Sequence, residues 1–233
     1  MSNDKVRIGV VGVGFGTQVH IPAFQSEGLD VVAVCSRHSE TAKDAARRFD
    51  IPNAFTNYEE MISMDSIDAI SIATPPSSHS DIAMAALEAG KHVLCEKPFA
   101  RNQDEAWRMW QKALSSGLTA MICHEFRFAS GRMRVKELID ENYIGQLHMV
   151  NINLLNGPRD GFKPRPSTYR DNIDEGVGFL GALGSHYIDC LRHWFGEVSN
   201  VSGQTFTHFG DRLYNDSDII KASSEDTFNF RLN

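Results

Sequence analysis

Three groups of side chains have the types and spacing to do chemistry. The stretch from Gly181 to Asp189 puts His186 three residues ahead of Asp189, near the start of a predicted helix. An imidazole exchanges protons near neutral pH. The apolar stripe of that helix, Leu183, Tyr187, Leu191 and Trp194, should face a core. His186 lies off the stripe, which points to a cleft rather than to packing. A metal held by His186, Asp189 and His193 is rejected, because those residues spread over about 10 Å of helix at ~1.5 Å per residue; no metal is expected. The second group is Lys97, which with Glu96 ends a short apolar strand. An ammonium there can stabilise an oxygen that gains negative charge during a reaction; the alternative is a surface cation. Pro98 turns the chain out of the sheet. The third group is the run Gly12, Val13, Gly14, Phe15, Gly16 and Thr17.

These residues need elements to position them. Apolar runs at 6–13, 31–35, 67–73, 93–96 and 119–123 read as strands, and segments 18–26, 39–49, 80–89 and 102–116 as helices. That alternation predicts a parallel sheet with right-handed crossovers, an α/β dinucleotide-binding domain of the Rossmann type over residues 1–124. After residue 124 the rhythm changes. A basic helix at 131–142, a long alternating strand at 147–155, a Gly/Pro/Arg loop at 156–169, the His186 helix and strands at 198–206 and 226–232 follow. They predict an α+β domain over residues 125–233 with an open-faced, mostly antiparallel sheet.

The glycine run follows the first strand and opens a helix, the context in which such a loop binds a dinucleotide. Gly12 allows the tight turn, Gly14 lets a pyrophosphate approach, and the helix N-terminus supplies free N–H groups. The third glycine is expected at 17, where Thr stands, so Thr17 should push helix and strand slightly apart. The alternative is a glycine-rich turn without a ligand. At the end of the second strand a carboxylate would hold the ribose of NAD. Ser36, Arg37 and His38 stand there instead. Ser36 can bond a 2′-phosphate and Arg37 can pair with it, so NADP(H) is favoured and NAD(H) remains open; the alternative for Arg37 is a solvated charge.

Composition narrows the classes. The 233 residues carry a net charge of −7, which argues against nucleic acid as a partner. Four dispersed cysteines make neither a zinc motif nor a disulfide framework. No apolar stretch approaches the ~18 residues of a membrane span and no signal peptide precedes the first strand, so a cytoplasmic protein is expected.

Three segments, 12–16, 73–79 (Ala-Thr-Pro-Pro-Ser-Ser-His) and 89–98 (Ala-Gly-Lys-His-Val-Leu-Cys-Glu-Lys-Pro), together resemble the glucose–fructose oxidoreductase/inositol dehydrogenase/MocA family. Phe126 to Phe128, Ile144-Gly145 and Gly184 to Asp189 extend the resemblance over essentially the whole chain. It implies a nicotinamide cofactor, a sugar-like or polyol substrate, and a homodimer or homotetramer built on the C-terminal sheet. It places Ala73, Thr74, Pro75, Pro76 and His79 along the cofactor, with Glu96 and Lys97 near the nicotinamide. His79 is otherwise a polar residue at a helix start. Arg127 reaches cofactor or substrate, or forms an ion pair; Phe126 and Phe128 are expected in the core with Arg127 pointing away. His20 and His92 are expected to be structural.

In that family an aspartate four residues before the histidine shares its helix face and orients it. Here that position is Ala182. Asp189, at i+3 from His186, is a possible substitute. The chain ends within a strand, so the second domain is expected to be incomplete or covered by a partner subunit. A nucleotide-binding regulator without dehydrogenase turnover is the alternative function.

Overall fold

A computed structural model of the chain describes residues 5–155, 157, 164–176, 178–214 and 218–233. It comprises two compact units, Met1–Cys123 and His124–Asn233. In the first, strands and helices alternate in the order β1 (Arg7–Val11), α1 (Ile21–Ser26), β2 (Asp30–Cys35), α2 (Ser39–Phe49), β3 (Asn53–Phe55), α3 (Tyr58–Ile62), β4 (Ala69–Ile72), α4 (His79–Glu88), β5 (His92–Cys95), α5 (Gln103–Ser116) and β6 (Ala120–Ile122). The sheet runs β3-β2-β1-β4-β5-β6 and every paired neighbour is parallel. That is the doubly wound order in which ligands bind at the carboxyl edge.

Strand alternation, with a bulge-like register shift in β2 between Val31 and Ala33, builds two cores. Ile8 and Val10 of β1 and Val31 and Val34 of β2 pack with Ile21 and Ala45. Val11, Ala33 and Cys35 point the other way, into a cluster with Ile70, Ile72, Ile82, Ala86 and Met109. The helix ends follow local chemistry. Asn102 caps α5 by accepting from the Glu105 N–H, and Gly117 closes it at φ +68°. β3 and α3 escape sequence reading because one has three residues and the other five, too few for a period to show.

The second unit holds α6 (Ser130–Asp140), β7 (Arg165–Pro166), α7 (Ser185–Phe195), β8 (Val201–Phe206), β9 (Asp211–Leu213), β10 (Ile219–Lys221) and β11 (Thr227–Leu232). β8 and β11 pair antiparallel over six residues, and β9 pairs antiparallel with β10 and parallel with β7. Buried Asp171 anchors the second group: it accepts from Arg165 Nη1 at 2.9 Å, Arg212 Nε at 2.7 Å and the Thr168 N–H at 2.8 Å. Burial alone would raise its carboxyl, but these donors outweigh that and hold it below the usual range.

The strand expected at 147–155 is not formed: it pairs with no other strand among the described residues. All of its apolar residues but the half-buried Leu154 stay exposed, Leu155 at 93%. Alternation supplies a face, but a strand also needs a ladder partner for its backbone groups. Of the loop expected at 156–169, residues 156 and 158–163 lie outside the described residues. No helix among the described residues is long and apolar enough to cross a membrane.

Candidate functional site

In the first unit the segments after β1, β2, β4 and β5 emerge at the carboxyl edge of one parallel sheet. Gly12 has φ +103°, and a Cβ there would lie 2.4 Å from the Ala73 carbonyl oxygen, so the glycine turn crosses directly over the backbone at Ala73 and Thr74. At Gly14 an added Cβ would meet nothing within 4 Å. This is open, exposed space in which an anion can approach the backbone. Gly16, not residue 17, makes the close helix–strand contact, because its Cβ would fall 3.0 Å from Val10. The expected spreading by Thr17 does not occur. The turn Gly16–His20 is π-helical, and the Thr17 hydroxyl donates to Val13 O at 2.7 Å. Phe15 is exposed beside it, its ring edge-on to His20.

At the end of β2, Ser36 bonds Thr41 through its hydroxyl at 2.7 Å. Arg37 is exposed and makes no ion pair among the described residues. No carboxylate stands at that strand end.

The turn after β4 is held from beneath. His79 is 0% exposed, with Nε2 2.8 Å from Thr74 O and Nδ1 3.0 Å from Pro98 O. It pins the 74–76 turn to the end of the β5 segment and offers no ring surface to a ligand, unlike the lining role the resemblance implied. Burial pushes its pKa below the usual value despite those carbonyls. Pro76 is buried, Thr74 and Pro75 half-buried.

His20 is packed, as expected, and it also has a role that its place in the sequence does not reveal. Its Nδ1 lies 2.7 Å from Ser71 Oγ and its Nε2 2.9 Å from Glu96 Oε1, all three residues being buried. Glu96 Oε2 accepts the Lys97 N–H at 3.2 Å. Burial alone would raise the Glu96 carboxyl, yet His20 and the Lys97 N–H hold it below its ordinary value. The signal in the sequence was Ser71, a lone hydroxyl inside the apolar run of β4. Cys123 joins His20 and Glu96 with ligand atoms within 4.8 Å of one another. Both ring nitrogens of His20 are already engaged, so this is a hydrogen-bonded scaffold. Lys97 itself is half-buried at the strand end.

In the second unit His186 opens α7, but it is 2% exposed. The expectation that lying off the apolar stripe puts it in an open cleft is corrected by Phe126, whose ring stacks on the imidazole at 3.8 Å and 8°. Phe126 comes from a 3₁₀ turn, Glu125–Phe128, which a helical wheel of α7 cannot foresee. In such a turn residues two apart do not share a face, and Phe128 is exposed, not in the core as expected. Arg127 forms the ion pair that was its alternative reading: its Nε donates to Asp189 Oδ2 at 2.8 Å and its Nη2 to Oδ1. Those bonds raise its pKa. Ala182 lies in a π-helical turn, Leu180–Gly184, that runs directly into α7.

Comparison with known proteins agrees with this architecture. Residues 6–124 match the model of an oxidoreductase family with an NAD-binding Rossmann fold, and residues 132–233 match the GFO/IDH/MocA C-terminal domain. The C-terminal domain is therefore present, and the expectation that it is cut short gains no support from this match. The chain is 31% identical to levoglucosan dehydrogenase of Pseudarthrobacter phenanthrenivorans over 89% of its own length and 56% of that protein's. It is 35% identical to D-xylose 1-dehydrogenase (NADP(+)) 2 of Haloferax volcanii, covering 84% of this chain and 59% of the other. The structure of a levoglucosan dehydrogenase in complex with NADH and levoglucosan superimposes with a TM-score of 0.88 at 27% identity, over 99% of this chain and 64% of that one. The chain thus spans less than two thirds of the length of these relatives.

Because the folded chain holds Glu96 below its ordinary value of 4.5, the stabilisation is present above that pH and is lost as pH falls through the folded value. Urea unfolding between pH 3 and 7 should show a shallower acid decline in Glu96→Gln than in the wild type; parallel curves would contradict the pairing.

Proposed function

This chain belongs to the Gfo/Idh/MocA family of oxidoreductases, and from that membership we propose that it transfers a hydride between a nicotinamide cofactor and a sugar-like or polyol substrate. The observation that carries the reading is the open space above Gly14, at a sheet edge where the 73–76 turn and the Glu96–Lys97 segment also emerge. That space is open to a pyrophosphate, which would meet backbone N–H groups of the glycine turn and the helix start. A bound nicotinamide supplies the hydride acceptor.

The chain's own residues do the rest. Lys97 stabilises the substrate oxygen as it becomes alkoxide-like, and His186 takes the hydroxyl proton. Gly12, Gly14, Phe15, Gly16 and Thr17 shape the phosphate turn. Ala73 to Pro76 line the cofactor, and His79 acts by holding that turn. Arg127 serves through its pairing with Asp189. Ser36 and Arg37, with no carboxylate beside them, favour NADP(H); the Haloferax relative named for NADP(+) supports this, while the levoglucosan dehydrogenase structure contains NADH. The acting unit is a homo-oligomer. What supports this is the exposed apolar series Leu147, Met149, Val150 and Ile152 together with the exposed strand β8. A second reading, a nucleotide-binding regulator without turnover, is favoured by the missing carboxylate at Ala182.

Titration of the purified protein should show NADPH binding more tightly than NADH, and Arg37→Ala should weaken NADPH about 10-fold while sparing NADH; equal losses would refute the preference. With a sugar and polyol panel, Lys97→Met should lower kcat by ~100-fold or more with cofactor binding retained. Unchanged turnover would remove Lys97 from the mechanism, and binding without wild-type turnover would favour the regulator. Light scattering should find a dimer or larger; a monomer at micromolar concentration would overturn the oligomer.

A further inference from the structure

The histidine read as the base has Ala182 four residues before it, and it is 2% exposed. Asp189, the nearest substitute in sequence, is committed: both its oxygens accept from the Arg127 guanidinium. A carboxylate already neutralised by a bidentate arginine adds little field at a second cation. The 3₁₀ turn ahead of α6 supplies another. Glu125 Oε1 lies 3.6 Å from His186 Nε2, and its side chain is 51% exposed.

We propose that Glu125 is the positioning carboxylate of His186, taking the part that position 182 does not fill. The inference rests on the reading of His186 as the base. At 3.6 Å the contact is electrostatic rather than a hydrogen bond. Three more torsions separate the half-exposed carboxylate from the backbone, so it can close on the ring when the ring gains charge. The ring itself is held in place: Phe126 stacks on one face, and His124 meets it edge-on at 5.7 Å. Because Glu125 and Phe126 are consecutive, one short turn both clamps the imidazole and brings its counter-charge. Among the described residues, the elements packed here also carry the Arg127–Asp189 pair and Arg132, whose guanidinium lies 4.3 Å from the Phe126 centroid and 5.5 Å from that of Tyr187. The turn Leu180–Gly184 contributes no titratable side chain. Asp189 is thus paired with Arg127, and Glu125 brings a carboxylate to His186 Nε2.

The test compares Glu125→Gln, Glu125→Asp and, as a surface control, Glu137→Gln in the full chain. Histidine NMR titration, with the His186 resonance assigned by its loss in His186→Asn, should show the His186 pKa falling in Glu125→Gln, partly restored in Glu125→Asp and unmoved in Glu137→Gln. In turnover, Glu125→Gln should lower kcat about 10-fold with little change in KM and move the acid limb of the pH profile downward. An unmoved His186 pKa overturns the proposal whether or not the protein turns over. If the pKa falls while the wild type lacks nicotinamide-linked turnover, the pairing stands and the dehydrogenase reading fails.

Discussion

A carboxylate that stays charged inside the first unit depends on one imidazole. His20 follows the glycine turn, Ser71 lies on β4 and Glu96 ends β5, so a single ring ties together three segments of the sheet edge. Removing one member of such a buried pair costs about 3–5 kcal/mol, since the other loses its partner in the interior. The same carboxylate receives the Lys97 N–H, which orients the backbone that carries the lysine. Directly beneath the neighbouring turn, the His79 ring lies between the Thr74 and Pro98 carbonyls. The exposed groups at this edge therefore rest on two histidines that never leave the interior.

The glycine turn obeys a second constraint, close approach. Gly12 crosses the chain at Ala73 where no Cβ fits, and Gly16 seats the following helix against Val10. The glycine spacing is one residue short of the usual pattern, and the π-helical turn at Gly16–His20 is where the chain accommodates it. A hydroxyl at position 17 is harmless there because it turns back onto the Val13 carbonyl.

In the second unit the carboxylates Asp171 and Asp189 take partners that helical spacing does not reveal. Arg127 takes Asp189, sixty-two residues away in sequence, and Arg165 and Arg212 converge on Asp171. Each arginine fork satisfies a carboxylate more completely than a histidine could, which is why Asp189 goes to Arg127 rather than to His186. The stretch 147–155 shows the opposite limit: a well-patterned apolar series with no ladder partner among the described residues.

Much of this protein is legible from its residues. Apart from β3 and α3, the order of strands and helices to residue 123, the glycine turn, the lysine at the end of β5 and the helix bearing His186 follow from local period, glycine and proline placement, and strand length, all properties of neighbours along the chain. Whether His186 is open or buried, which carboxylate stands beside it, that Phe128 is exposed and Phe126 packed, and that His20 holds Glu96 were decided only by tertiary structure. These depend on side chains brought from remote segments, and the energy of a buried charge is set by whatever group the fold puts within a few ångströms of it.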